Sequence, residues 1–369
     1  MRTFARSFAR KTGRIMSRKV TLKDVAAQAG VSYQTVSKVL RKQAQVSPDT
    51  EARIHQAVEE LGYRPDYGAS SMRSRRSRAI GYSWDPTPLD QMNPILDLFL
   101  QSMVEAADEE DYQLVCFPHH ADRPLEPYFE LMASNRVDGF VLSGIEYDDP
   151  RVAYLMDSGF PFVAFGRSNP DWIFPSVDVD NTAGVYELTK HLVDSGHRRI
   201  AVLAWPQNSR VGQDRMRGYL RALEEAGITP APDWIARGEG KFSFGLEQTK
   251  VWLAQDPAAR PSAIIGFNDS MAVGALRAAL EQGIAVGEEL AIAGYDDTPL
   301  GEYVTPSLTS VRQPIWEVGQ TVVSVLLDQL SGRAVGEGVR LLKPTLVLRE
   351  STEGSRMNRA SLPLSTDAG

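Results

Sequence analysis

Two sets of side chains in this 369-residue chain are spaced for chemistry. The first lies in residues 21–41, TLKDVAAQAGVSYQTVSKVLR. At helical spacing Val36, Val39 and Leu40 turn inward, and Tyr33, Gln34, Ser37, Lys38 and Arg41 turn outward. Phenol, amide and ammonium groups on an exposed helix are donors and acceptors of the kind that read base edges in a DNA major groove. The second set follows apolar runs. Arg167 ends FVAFGR, Trp205 follows RIAVLA with Arg215 farther on in DRMRGY, Asn268 follows SAIIGF, and Asp296 follows ELAIAGY. Guanidinium forks and carboxylates suit hydroxyl partners, because a hydroxyl both donates and accepts. Trp84, Trp172, Phe174 and Trp205 gather near the same run ends, and their flat faces would stack on a pyranose or on a purine. Asp85, Gln91 and Asn93 offer further hydrogen bonds from the first loop. Asp297 reads as a turn residue, and Asn268 or Asp269 could instead cap the helix that follows.

Patterns that would announce an enzyme are missing. The GEG at 238–240 is not a GxGxxG behind a strand. His119 and His120 are adjacent, with no ligand set at metal spacing. Neither Gly-x-Ser-x-Gly nor a Walker loop occurs. No catalysis, metal or cofactor is expected.

The elements that must carry these residues are punctuated locally. Thr21 with Asp24 three residues later makes a box-like helix start. Leu22, Val25, Ala26 and Ala29 form one apolar stripe, and Gly30 ends the helix in the left-handed region. Ser32 caps a second helix over 33–40. Ser47-Pro48-Asp49 starts a third, with Ile54, Val58 and Leu61 inward and Gly62 after its end. Two short helices joined by a tight turn, the second polar outside, is the layout of a helix-turn-helix.

Charge divides the chain in the same place. Residues 1–78 hold 17 Lys+Arg against 6 Asp+Glu, and the remainder 23 against 41. A basic head neutralises phosphates, and an acidic body avoids them. The Arg-rich residues 1–19 read as a disordered basic arm or as a start assigned too early, with Met16 just upstream of the headpiece. Cys116, between Val115 and Phe117, reads as a core thiol, and with one cysteine no intramolecular disulfide can form. No apolar run reaches the roughly 18–20 residues that cross a membrane.

From Ala79 onward strand and helix patterns alternate: AIGYS, a helix over 94–110, YQLVCF, a helix over 124–134, GFVLS and FVAF. After SVDVD come a helix over 181–195, RIAVLA, a helix over 211–226, SAIIGF, a helix over 270–283, ELAIAGY, a helix over 314–330, and LKPTLVLRE as one closing strand. Repeated βα units build parallel sheets. The pattern restarts near Asp180, so two doubly wound, Rossmann-like subdomains with a cleft between them are expected. Ligands in such sheets sit beyond the carboxyl ends of the strands.

The order AAQAGVSYQTVSKVL resembles the DNA-binding headpiece of the LacI/GalR family of bacterial transcription regulators, and the resemblance extends over about 18–352. It implies a small all-α helix-turn-helix headpiece over 20–64, a hinge helix over 65–78, and a periplasmic-binding-protein-like effector-binding and dimerisation body over 79–352. One subdomain would take about 79–180 and 312–340, the other about 181–309 and 341–352, and 353–369 would be a disordered tail. The resemblance further implies a cytoplasmic, nucleoid-associated repressor. It would be a homodimer, or a tetramer built from it, on a near-palindromic operator. Tyr33, Gln34 and Lys38 would meet base edges, with Ser37 beside them on the same helix. Thr21, Ser32 and Thr35 would meet phosphates, and Met72, where the family usually has leucine, would wedge the minor groove. Arg215, Asn268 and Asp296 match the family's effector contacts, and Arg167 falls at its cleft. With Trp84 and Trp205 they suggest a sugar, mono- or oligosaccharide. A purine is the alternative effector. A transporter's sugar-binding protein would share the body, but would need a secretory signal and no headpiece.

Overall fold

The computed structural model describes residues 20–40, 46–63, 76–84, 93–120, 122–336 and 338–353. The arm, the proposed hinge helix with Met72, Arg41, Asp85, Gln91 and most of the proposed tail lie outside the described residues. The chain forms two compact units, Met1–Ser77 and Arg78–Gly369.

The first unit is three helices, α1 (Leu22–Ala29), α2 (Tyr33–Leu40) and α3 (Pro48–Leu61). Asp24 accepts hydrogen bonds from the Thr21 amide at 2.8 Å and the Thr21 hydroxyl at 2.6 Å, closing the start of α1. Gly30 and Gly62 take φ of 66° and 61°, the left-handed conformation in which a glycine ends a helix without a Cβ penalty. The Ser32 hydroxyl accepts from the Thr35 amide at 3.0 Å, and Ser47 caps α3. Val25, Val36 and Ile54 meet in the centre and are fully buried. Each contributes about 1.5–3 kcal/mol of transfer free energy. Val58 and Leu61 pack at the margin, and Ala57 takes an inner place.

The second unit holds two six-stranded sheets. Its strands are β1 (Ala79–Trp84), β2 (Gln113–Pro118), β3 (Gly139–Leu142), β4 (Phe162–Phe165), β5 (Ser176–Val179), β6 (Ile200–Ala204), β7 (Ile235–Arg237), β8 (Ala263–Gly266), β9 (Ala291–Asp296), β10 (Thr309–Arg312), β11 (Val339–Leu342) and β12 (Thr345–Val347). The first sheet runs β11-β5-β4-β3-β1-β2 and the second β12-β10-β9-β8-β6-β7. Every pairing is parallel except β10 with β12. The long helices are α4 (Pro94–Glu109), α5 (Glu126–Ala133), α6 (Pro150–Ser158), α7 (Asn181–Asp194), α8 (Arg210–Glu225), α9 (Phe242–Leu253), α10 (Asp269–Glu281) and, after the single turn α11 (Leu300–Tyr303), α12 (Ile315–Leu330). Each sheet is packed on both faces, so its central strands are buried throughout, as in β3, β6 and β8. None of the helices among the described residues is long and apolar enough to cross a membrane.

The chain passes between the lobes three times: after β5, after β10 and after β11. Helix α12 packs on α4 and on β3, β4 and β5 of the first sheet, although β10 before it belongs to the second.

Several details differ from the sequence reading. GFVLS and FVAF are parallel neighbours, and a parallel pair requires a crossover, which α6 provides. SVDV, IAR and TSVR are strands β5, β7 and β10, and FSFGLEQTKVWL is helix α9. LKPTLVLRE is not one closing strand. Lys343-Pro344 separates β11 in the first sheet from β12 in the second, because proline donates no ladder hydrogen bond. The last passage between lobes therefore falls after Leu342. Cys116 is not a core thiol. It sits on edge strand β2 with its side chain exposed, while alternate residues turn inward.

Candidate functional site

On the headpiece, Gln34 and Lys38 project from α2 into solvent. Tyr33 is half-buried against the core. The Thr21 and Ser32 hydroxyls belong to the helix starts, Ser32 Oγ lying 2.8 Å from Thr35 Oγ1. The expectation of an outward Ser37 fails: it is 6 % exposed. Residues 33, 36, 37 and 40 form the i, i+3, i+4, i+7 stripe of α2, and this stripe faces the three-helix core. Ser37 is therefore a packing residue in this unit.

In the body, the carboxyl ends of both sheets border a cleft of about 1050 Å³. Trp205, Arg215, Asn268 and Asp296 line it, together with Asn93, Phe165, Asp178, Asn181, Lys241 and Gln313. Arg215 rises from α8 and is 2 % exposed. Its Nε donates to Asn181 Oδ1 at 2.9 Å, one Nη donates to the Phe267 carbonyl, and the other lies 3.6 Å from Asp296 Oδ1. The Trp205 and Tyr295 rings lie against the guanidinium, at 4.6 and 3.6 Å from their centroids. Cation–π contact and ion pairing thus hold one planar fork at the base of the cleft.

Asp296 ends β9 with φ of 117°, a conformation that a non-glycine residue seldom adopts. Gln313 Nε2 donates to its Oδ1 at 2.7 Å. Burial raises the Asp296 carboxyl to about 7, opposed by Arg215 and reinforced by neighbouring Asp269. Asp269 is raised to about 6, also chiefly by burial. It already accepts from the Thr298 amide and hydroxyl at 2.6 and 2.9 Å and from Ser310 Oγ at 2.5 Å. Asn268 does cap α10, its Oδ1 accepting from the Met271 amide at 2.8 Å, while its Nδ2 donates to the Gly240 carbonyl at 2.8 Å.

Other expected contacts fall elsewhere. Arg167 is outside the lining set and bridges the lobes. Its Nε meets Asp178 at 2.7 Å and its Nη2 meets Asp214 of α8 at 2.6 Å. Asp178 is pushed up by burial, with Arg167 pulling it down. Beside this bridge, Glu146 accepts from the Arg210 amide at 2.6 Å. Trp84 ends β1, 43 % exposed, and does not line the cleft. Phe174 is buried in the core of the first lobe, with Trp172 packed against it. Asp297, at φ of 50°, pairs with Arg312 and Arg349 as a turn residue would. Asn181 and Gln313 escaped the sequence reading. Both follow short strands, β5 and β10, that the pattern of apolar runs did not separate from the next helix.

A helix-turn-helix unit joined to a two-lobed body with a polar, aromatic-walled cleft defines a ligand-responsive transcription regulator. The family described as "Bacterial regulatory proteins, lacI family" matches residues 21–66, and "Periplasmic binding protein-like domain" matches residues 189–352. The chain belongs to the LacI family and is a transcriptional repressor with an effector-binding body. It is 32 % identical to the repressor CytR of Escherichia coli K12, over 90 % of this chain and 96 % of CytR. It is 33 % identical to the regulator CelR of Thermobifida fusca, over 90 % of this chain and 98 % of CelR. The solved lac repressor dimer bound to operator and the anti-inducer ONPF is 30 % identical, with a TM-score of 0.76, covering 91 % of this chain and 99 % of that one. These relatives are regulators, not enzymes.

Proposed function

We propose that this chain is a cytoplasmic, dimeric repressor of a near-palindromic operator, and that a sugar entering the cleft changes its affinity for DNA. The observation that carries the sugar reading is Arg215 held beside Asp296 under the Trp205 ring. A buried fork, a carboxyl and an indole face together match a ring that has hydroxyls at its edge and C–H groups on its face. The solved CelR–cellobiose complex, 31 % identical over 90 % of this chain with a TM-score of 0.69, supports a saccharide ligand. On the DNA side, Gln34 and Lys38 read bases and Tyr33 assists them. Thr21, Ser32 and Thr35 lie at helix starts, where phosphates are held. Met72, in the hinge at 65–78, wedges the minor groove. An effector shifts the balance between lobe arrangements only by its differential affinity for them.

Titration of the full chain with panels of sugars and purines, followed by heat and by tryptophan fluorescence, tests the effector class. A saccharide that binds and changes operator affinity is the expected result. Binding of hypoxanthine or guanine with no saccharide response would replace the sugar by a purine.

A further inference from the structure

We propose that Arg78 is a positioning residue for operator binding: it fixes the point and the direction at which the chain leaves the body toward the headpiece. The boundary between the two compact units falls between Ser77 and Arg78, and β1 begins one residue later. Arg78 takes φ of 56°, in the left-handed region that side chains other than Asn and Asp rarely enter. Glycine would sit there at no steric cost. The arginine is instead held by backbone and side chain alike. Its amide donates to Asp138 Oδ2 at 3.0 Å, in the turn before β3. Its carbonyl accepts from the Gln113 amide at 2.9 Å, where β2 starts. Its Nη1 donates to the Glu110 carbonyl at 3.1 Å, just past the end of α4, and the guanidinium lies over the Tyr112 ring at 5.3 Å from the centroid.

The segments that hold Arg78 are themselves fixed. Phe99, Met103, Ala106 and Ala107 bury one face of α4. Asp111, at φ of 58°, turns the chain toward β2, and the Tyr112 amide donates back to the Ala107 carbonyl at 2.8 Å. A cation over the last carbonyls also answers the negative end of the helix dipole. Arg78 is exposed, so its bonds add little to folding. Their effect is geometric. Three segments of the first lobe converge on the residue from which the linker departs, and they hold its backbone where an arginine would not otherwise rest. In the dimer on a near-palindromic operator proposed above, two such exits limit how far apart the two headpieces can reach. The inference rests on that reading.

Fluorescence anisotropy of the full chain on two kinds of DNA tests this. One is an operator that the parent selects from random-sequence DNA. The other is the same operator with one base pair inserted or removed at its centre, which changes the half-site separation by about 3.4 Å. Arg78→Asn keeps a residue that tolerates the left-handed backbone, but its shorter side chain cannot span the distance to Glu110. It should reduce the parent's preference for the selected spacing at least about fivefold, while Arg78→Lys, which keeps a cation and a donor, retains that preference. An unchanged spacing preference in Arg78→Asn, or an equal loss of affinity on all DNA, overturns the proposal. A parent with no spacing preference overturns the two-half-site reading, and the role of Arg78 with it.

Discussion

Gln34 is the side chain whose loss best separates base reading from attachment to phosphates. It is exposed on α2 and its amide both donates and accepts, so it can pair with a base edge. Gln34→Ala should cost about 1–3 kcal/mol at one operator base pair and little elsewhere. Binding assays on single-base operator variants read this directly, and an equal loss on all DNA contradicts a reading role. Asp296 gives the second residue-scale expectation. Its carboxyl, lifted to about 7 by burial, holds a proton in the folded chain that the unfolded chain would release. This stabilises the fold at acid pH and is lost as pH rises through about 7. A ligand hydroxyl donating to the carboxylate favours the ionised form, so binding releases a proton, and affinity rises from about pH 5.5 to about pH 8. Calorimetry in buffers of different ionisation enthalpy measures that proton; uptake, or a flat pH profile, contradicts the contact.

At the scale of elements, the caps were legible because they are local. Gly30, Ser32, Ser47-Pro48 and Gly62 each mark a helix end by their own backbone preference. The stripe of α2 was harder, since Ser37 is polar by type and inward by position. Strands β5, β7, β10 and β11 were hidden for a different reason. Each is only three or four residues long, and β11 finds its partner β5 far off in sequence across a lobe passage, so no local signal defines them. Glycines set another long-range contact: Gly245 of α9 and Gly274 of α10 let the two helices touch backbone to backbone. A Cβ at Gly274 would meet the Phe242 carbonyl and the Leu246 amide. Alanine raises intrinsic helix propensity by about 1 kcal/mol, but the atoms it meets are backbone and cannot step aside. Gly274→Ala should therefore destabilise the body by about 1–3 kcal/mol in urea melts. A stabilised variant would show that the helices part freely.

At the scale of the whole body, the proposed effector acts by changing the arrangement of the two lobes. Arg215 and Asp296 line the cleft where the sequence reading expected them, whereas Arg167 turns to Asp178 and Asp214, and sequence cannot show that these two converge on its guanidinium from opposite lobes. Arg167→Ala removes a bridge between lobes without removing a lining residue, though it takes the cation away from Asp178, which lines the cleft. Its effect should appear in operator affinity and in the size of the effector response, with sugar affinity changed less than about tenfold. Loss of all sugar binding would instead place Arg167 on the ligand.

In the proposed function, Asp296 is the point where the ligand is felt. Asp296→Asn keeps the shape and removes the charge that faces Arg215. Operator affinity, followed by fluorescence anisotropy with and without the saturating sugar, tests this most directly. The prediction is that the variant binds operator as the parent does and that the sugar-induced change shrinks at least about tenfold. A variant that responds to the sugar as the parent does would contradict the account.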